Sequence, residues 1–167
     1  PYLSGKLAAG YVRGIQSVGV SACPKHFAAN SQELRRMASN SVLDERTLRE
    51  LYLTGFEIAV KEGRPKCIMT SYNRVNGTYA NENHHLLQDI LHGEWGYDGA
   101  VVTDWGGSND HVEGVREGST LEMPCPGFGS AKRLMQAVEE GRLPESAVDA
   151  RVDELLELVF TTDAAVK

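Results

Sequence analysis

Four apolar runs in this sequence each end in side chains that could do chemistry. Lys25-His26 follow the first run, Tyr72-Asn73 the second, Asp104-Trp105 the third and Glu122-Met123 the fourth. Asp104 is the most informative of these residues, because the run before it, residues 100–103, is typical of a strand covered on both faces. A buried carboxylate is costly unless it is paired or has a chemical task. This position therefore indicates a site.

The residue types around Asp104 suit a neutral ligand that carries many hydroxyl groups. Lys25, His26 and Arg36 are hydrogen-bond donors, Tyr72 offers a phenol, and Trp105 offers an apolar ring face. Each of these residues alone is more often an ordinary surface or core side chain. Their position at the ends of successive apolar runs favours a common pocket, and the combination fits a sugar.

Asp104 has two interpretations. A carboxylate at the end of a strand is often only a turn former or a helix cap. Beside cations and a phenol, however, the pKa of Asp104 should be depressed, and the ionised group could attack an electrophilic carbon or stabilise a developing cation. In a glycosidase that role belongs to the nucleophile, and a second carboxyl group must protonate the leaving oxygen.

The elements that must position these residues form an α/β pattern, a helix followed by four strand–helix units. The predicted strands are Val18 to Cys23, Cys67 to Ser71, Ala100 to Thr103 and Ser119 to Met123. Strands that alternate with helices in this way are expected to be parallel, with right-handed crossovers. Their carboxyl ends, and the polar residues after them, should then meet at one edge of the sheet.

The helices are predicted from caps and apolar stripes. Asp44 should cap a helix that Gly63 and Pro65 end, and Asn83 should cap the next one. A third helix should run to Gly141, and Pro144 should open a fourth. The expected buried stripes are Leu48, Leu51, Tyr52 and Ala59; Leu86, Leu87, Ile90 and Leu91; Leu134, Met135 and Val138; and Val148, Val152, Leu155, Leu156 and Val159.

Composition excludes several functional classes. The 167 residues carry a net charge of -6 with scattered Lys and Arg, which argues against a nucleic-acid partner. No segment is apolar enough to cross a membrane, and the first residues do not match a signal peptide. Cys23, Cys67 and Cys125 lack the spacing of a zinc site, so we expect no metal or other cofactor and a reducing, cytoplasmic setting. His84-His85 should mark a helix start rather than a metal site.

Several separated motifs resemble the β-glucosidases of glycoside hydrolase family 3, in the same order and over nearly the whole chain. They are Lys25-His26-Phe27-Ala28-Ala29-Asn30-Ser31-Gln32-Glu33, Met69-Thr70-Ser71-Tyr72-Asn73 with Val75-Asn76-Gly77, Glu94-Trp95-Gly96-Tyr97-Asp98-Gly99, and Val102-Thr103-Asp104-Trp105-Gly106. Separated motifs in one order are far more specific than a single short pattern.

The resemblance implies a role for each site residue. Asp104 would be the nucleophile of a retaining mechanism, and Lys25, His26, Arg36 and Tyr72 would bind the sugar next to the scissile bond. Met69 and Trp105 would form walls of the pocket. The ligand would be a β-glucoside or a small β-linked oligosaccharide, and no cofactor would be needed.

The resemblance also implies that residues 1–167 are part of a catalytic domain, the C-terminal half of a (β/α)8 TIM-type barrel made of four parallel βα units. The start of the barrel and the acid/base Glu, which lies in a separate domain, would be outside this chain. The absence of an initiator Met agrees with a fragment or a processed chain. Glu33, Glu113 and Glu122 do not match the family's acid/base, so the chain alone should have negligible turnover.

Some alternatives remain open. Thr120 replaces an Asp of the family pattern, which affects local hydrogen bonding. The Asp110-His111-Glu113 group could be a proton relay or simply the start of a helix. The glycoside could be a β-xyloside, or the chain could be a non-catalytic sugar-binding half-barrel. The two open edges of a half-barrel would favour self-association.

Overall fold

The computed structural model describes residues 1–125 and 127–162. In chain order the elements are α1 (Tyr2–Gln16), β1 (Asn40–Ser41), α2 (residues 45–63), β2 (Cys67–Met69), β3 (Arg74–Val75), β4 (Thr78–Tyr79), α3 (His85–Glu94), β5 (Ala100–Val102), α4 (His111–Glu117), α5 (Phe128–Glu139) and α6 (Glu145–Thr161). Helix α2 alternates α-helical and π-helical turns, and α3 is π-helical.

A parallel array lies at the centre of the fold. Strands β2 and β5 pair in parallel, and single parallel bridges join Phe27 to Thr70 on one side and Val102 to Leu121 on the other. Four chain segments therefore run in the same direction, in the order in which they occur in the sequence. The predicted mixed α/β class is confirmed. In the part of the chain that is described, the sheets are open and do not close into a barrel.

The first predicted strand, Val18 to Cys23, is wrong. The turn that ends α1 extends to Gly19, whose φ of 81° is left-handed, and Val18 is exposed. The backbone next to β2 is instead residues 24–27. The Pro24 carbonyl accepts a hydrogen bond from the Met69 N–H (3.1 Å), and the Phe27 N–H donates to the Met69 carbonyl (2.8 Å). The apolar run therefore lies just before the segment that pairs.

The fourth predicted strand, Ser119 to Met123, is reduced to the bridge at Leu121. A β-hairpin that was not predicted also forms, because Asn76 and Gly77 adopt φ values of 50° and 98° and turn β3 back onto β4. Asn-Gly between β-branched residues is a strong hairpin signal. Strand β1 joins the other side of β3 in parallel.

The predicted helix caps are confirmed. Asp44 accepts a hydrogen bond from the Thr47 N–H (2.9 Å) at the start of α2, and Asn83 accepts one from the Leu86 N–H (3.1 Å) at the start of α3. Leu86, Leu87, Ile90 and Leu91 are fully buried against the sheet, as expected. The stripe predicted for α2 is only partly right, because Leu48 and Ala59 are buried but Leu51 is exposed.

Helix α6 begins after Pro144 as predicted, yet most of the apolar face predicted for it is exposed, with only Val148 and Leu155 half-buried. Val152, Leu156 and Val159 are each at least 44% exposed. No helix within residues 1–125 and 127–162 has the length and apolar character needed to cross a membrane.

Candidate active site

The candidate site lies where the parallel segments end. Residues 24–27, β2 and β5 are neighbours in the sheet and run in the same direction, so the residues that follow them emerge at one edge. His26, Tyr72 and Asp104 occupy these three ends. Ions and polar groups placed at the carboxyl edge of parallel strands are typical of α/β enzymes.

Asp104 is held by two contacts of its carboxylate. Oδ1 accepts a hydrogen bond from the Trp105 N–H (2.7 Å), and Oδ2 lies 3.2 Å from His26 Nε2. The side chain is only 15% exposed. The preceding residue, Thr103, is fully buried and anchors the strand end, because its hydroxyl accepts from the Met123 N–H (2.8 Å). The carboxylate is thus fixed in direction and still reachable from one side.

The His26 imidazole lies beside the Asp104 carboxylate, and its surroundings favour the neutral ring. Burial is the main cause that lowers the pKa of His26 below its usual value of 6.5, and the charges of Lys25 and Arg36 lower it further. The negative charge of Asp104 raises the pKa of His26, but by less than the other causes lower it. A neutral imidazole beside the carboxylate forms no full ion pair with it.

Tyr72 links the second strand end to the third. Its hydroxyl donates to the Trp105 carbonyl (2.7 Å), and the Arg36 guanidinium lies 4.7 Å from the centre of its ring. Burial, followed by the charge of Asp104, raises the pKa of Tyr72, so its hydroxyl stays protonated. The Trp105 side chain is 63% exposed, which leaves its ring available as a flat apolar surface.

The two other predicted site residues lie at the same edge but make different contacts. Met69 is the last residue of β2 and is half-buried, and its backbone connects the first strand end to the second. Lys25 is exposed. It lines a cavity with residues of α1 and α2, and its charge lowers the pKa of His26.

The remaining polar candidates have structural partners. Asp110 caps α4 by accepting hydrogen bonds from the Val112 and Glu113 N–H groups (3.0 Å each). Of the two interpretations of this group, a proton relay or a helix start, the structure therefore shows the helix start. Glu113 pairs with Arg116 within α4, and Glu122 pairs with His111 (3.0 Å). Glu33, also at this edge, is 79% exposed in its side chain and pairs with Arg36.

Thr120, the departure from the family pattern, has a complete set of partners. Its hydroxyl accepts from the Val101 N–H (2.9 Å) and donates to Glu154 Oε2 (2.6 Å). His84 and His85 pair with carboxylates on three helices instead of forming a metal site. Among the residues that the structure describes, no group of three or more His, Cys, Asp or Glu side chains is arranged to hold a metal ion.

One residue near the site was not predicted. Glu82 is buried in the turn Ala80–Glu82, and its Oε1 accepts from the Asn109 N–H (2.7 Å) and the Asp110 N–H (2.8 Å). These bonds span 27 and 28 residues, so no local pattern could have indicated them. The only signal in the sequence is a carboxylate between Asn81 and Asn83, just before a buried helix.

Comparison with known proteins identifies the family. The family described as "Glycosyl hydrolase family 3 N terminal domain" matches residues 1–158, nearly the whole chain. The chain belongs to glycosyl hydrolase family 3. The resemblance seen in its motifs is therefore confirmed.

Relatives within family 3 support the same placement. The chain is 49% identical over 160 residues to a thermostable beta-glucosidase B of Acetivibrio thermocellus, covering 96% of this chain and 21% of the relative. It is 42% identical over 166 residues to an exo-alpha-(1->6)-L-arabinopyranosidase of Bifidobacterium breve, covering 99% and 22%. The structure of beta-glucosidase 3B from Thermotoga neapolitana in complex with glucose matches with a TM-score of 0.92 and 40% identity, covering 96% and 23%.

This family 3 chain thus spans about a fifth of the length of the relatives it matches. The shared fold and family are established over the part that aligns.

Proposed function

We propose that this chain is part of a retaining glycoside hydrolase that releases terminal β-D-glucosyl residues, with Asp104 as the nucleophile. The observation that carries the proposal is the placement of the Asp104 carboxylate. It is held by the Trp105 N–H and by His26, at the edge where the parallel segments end, beside donors and an exposed aromatic ring.

The proposed reaction has two displacements. In the first, an Asp104 oxygen bonds to the anomeric carbon while the bond from that carbon to the leaving oxygen breaks through an oxocarbenium-like transition state. A carboxylic acid protonates the leaving oxygen. In the second, a water molecule gives a proton to the same acid/base residue and displaces Asp104, so that the sugar leaves with its original configuration.

The other site residues would bind and orient the sugar. Lys25, His26, Arg36 and Tyr72 would form hydrogen bonds with its hydroxyls, and Met69 and Trp105 would form apolar walls. These roles come from the family resemblance and agree with residue chemistry, since sugars combine hydroxyl acceptors with an apolar ring face.

We further propose that residues 1–167 form the C-terminal half of a (β/α)8 barrel and that the rest of the barrel and the acid/base Glu come from residues outside this chain. The four parallel segments with helices between them support this arrangement. The uncovered apolar face of α6 agrees with it, because a closed domain would cover such a face.

The test is a substrate panel with the full-length protein. We expect the highest kcat/KM on an aryl β-D-glucoside, compared with an aryl β-D-xyloside and an aryl α-L-arabinopyranoside, and β-glucose as the first product seen by NMR. Release of α-glucose first, or no turnover of any of the three, would contradict the proposal.

A pentopyranoside is the second candidate, because one relative is named as an arabinopyranosidase. The highest kcat/KM on the arabinopyranoside or the xyloside would select it. The 167-residue chain alone should have negligible turnover, and appreciable hydrolysis by that chain would contradict the placement of the acid/base residue outside it.

A further inference from the structure

Glu82 is a buried carboxylate that the proposed mechanism does not use. It is 8% exposed, and burial raises its pKa, while the Asn109 and Asp110 N–H groups act against that increase. A carboxylate in such a place is costly unless hydrogen bonds compensate for its lost hydration. The two bonds to Oε1, at 2.7 and 2.8 Å, supply that compensation.

The segment that Glu82 holds is the loop that follows the candidate nucleophile. This loop, residues 105–110, contains two consecutive glycines, and Gly106 has a left-handed φ of 79°. Glycine gives the backbone conformational freedom that must be restricted by contacts elsewhere. At the start of the loop, the Gly106 N–H donates to the Met123 carbonyl (2.6 Å) and the Gly107 N–H donates to the Asp104 carbonyl (2.9 Å), and at its end Glu82 holds Asn109 and Asp110.

The turn that carries Glu82 is itself tied to the second strand end. Asn81 Oδ1 accepts from the Thr70 hydroxyl (3.0 Å), and the Ala80 N–H donates to the Asn73 carbonyl (3.0 Å). Thr70, Asn73 and Asn81 are all buried. Glu82 therefore connects the loop after Asp104 to the rigid backbone on either side of Tyr72.

The direction of the Asp104 side chain depends on this loop. The Trp105 N–H holds Asp104 Oδ1, and the Trp105 carbonyl accepts the Tyr72 hydroxyl. A shift of the loop would move the Trp105 peptide groups and with them the carboxylate. Displacements of about 1 Å at a reacting group can lower a rate about 100-fold.

We infer that Glu82 is a positioning residue for Asp104. Its carboxylate fixes the far end of the loop and so keeps the Asp104 oxygens aligned with the anomeric carbon. The inference rests on the proposed function, because it requires Asp104 to act as the nucleophile.

The test uses four variants of the full-length enzyme: Glu82→Ala, Glu82→Gln, Glu82→Asp and the exposed control Glu139→Ala. Each is measured at a temperature where circular dichroism shows it folded. The readouts are kcat on an aryl β-D-glucoside and the inhibition constant of glucose, which reports ground-state binding.

We expect Glu82→Ala to lower kcat about 10- to 100-fold and to change the glucose inhibition constant much less. Glu82→Gln keeps an acceptor oxygen at the same reach and should recover most of kcat. Glu82→Asp withdraws the oxygen by one methylene, and its kcat should lie between those of Glu82→Ala and Glu82→Gln. The control should match the wild type. If Glu82→Ala does not fold, the order wild type, Gln, Asp still tests the inference.

Wild-type kcat in a folded Glu82→Ala would overturn the inference, as would equal losses in kcat and in glucose binding. If alanine does not fold, wild-type kcat in Glu82→Asp would overturn it as well. An inactive wild-type enzyme would instead refute the proposed function. The two failures are therefore distinguishable.

Discussion

His26 and His85 each contact a carboxylate, and their surroundings give them opposite acid–base behaviour. At the site, His26 lies 3.2 Å from Asp104, and burial lowers its pKa. On the helical surface, His85 contacts Asp89 (2.9 Å) and Glu45 (3.0 Å), and the hydrogen bond that its ring donates to Asp89 is the main cause that raises its pKa. The surroundings of this chemical pair favour the neutral imidazole in one place and the charged imidazole in the other.

The two histidines show how burial changes the preferred protonation state of an imidazole beside a carboxylate. A surface histidine with two carboxylates takes a proton more readily, because both carboxylates favour the charged ring. A partly buried histidine next to other cations favours its neutral form, because desolvation and the neighbouring positive charges both disfavour the imidazolium.

The largest expected difference between the two regions is in catalysis. In the full-length enzyme, Asp104→Asn removes the charged oxygen that would bond to the anomeric carbon, and kcat should fall roughly 10³-fold or more. Asp89→Asn, the matched change in the surface pair, should leave kcat within about 2-fold, since exposed pairs contribute little. Steady-state kinetics of both variants check this, and similar losses in the two would abolish the distinction.

A smaller effect is expected for the phenol that holds Trp105. Tyr72→Phe removes the hydrogen bond to the Trp105 carbonyl, worth about 1 kcal/mol, so kcat/KM should fall about 5- to 10-fold. Tyr79→Phe is the control, because the Tyr79 hydroxyl accepts from the exposed Arg74 (3.2 Å). Equal kcat/KM values for the two variants would show that the Tyr72 bond does not matter for the site.

The opposite pKa shifts can be measured directly. With ¹³C-labelled histidine in the full-length enzyme, NMR should show His26 titrating below its usual pKa of 6.5 and His85 above it. His26→Gln and His85→Gln assign the signals. If both imidazoles titrated on the same side of that value, burial would not separate the two pairs.

The smallest effect is expected on stability. A histidine whose pKa is raised on folding contributes stability that is fully present below its unfolded pKa and is lost as the pH rises through the folded pKa. His85→Gln should therefore lower the melting temperature at about pH 5.5 and have no effect at about pH 9. Because His85 is largely exposed, the change should be small, and a larger loss at high pH than at low pH would contradict the sign.

The parts of this structure that sequence could predict depend on local rules. The caps at Asp44 and Asn83 and the buried face of α3 follow from spacing alone, and the apolar run before Asp104 correctly predicted β5. The strand misplaced at Val18 shows the limit of such rules, because the folded arrangement decides which segment forms hydrogen bonds with β2. That segment begins at Pro24, whose carbonyl accepts from the Met69 N–H.

The same limit applies to the site. The sequence placed His26, Tyr72 and Asp104 at successive strand ends, and the structure brings these three together. The sequence could not indicate a role for Glu82, because the bonds that Glu82 makes to the loop depend on the folded arrangement of two segments 27 residues apart.

The most direct test of the central claim is covalent labelling. The full-length enzyme is treated with an activated 2-deoxy-2-fluoro-β-D-glucoside, which slows the second displacement and traps the glycosyl-enzyme, and the labelled peptide is sequenced by mass spectrometry. We expect one fluoroglucosyl group on Asp104 and no label in Asp104→Asn. A label on any other residue, or unchanged labelling of Asp104→Asn, would contradict the assignment of Asp104 as the nucleophile.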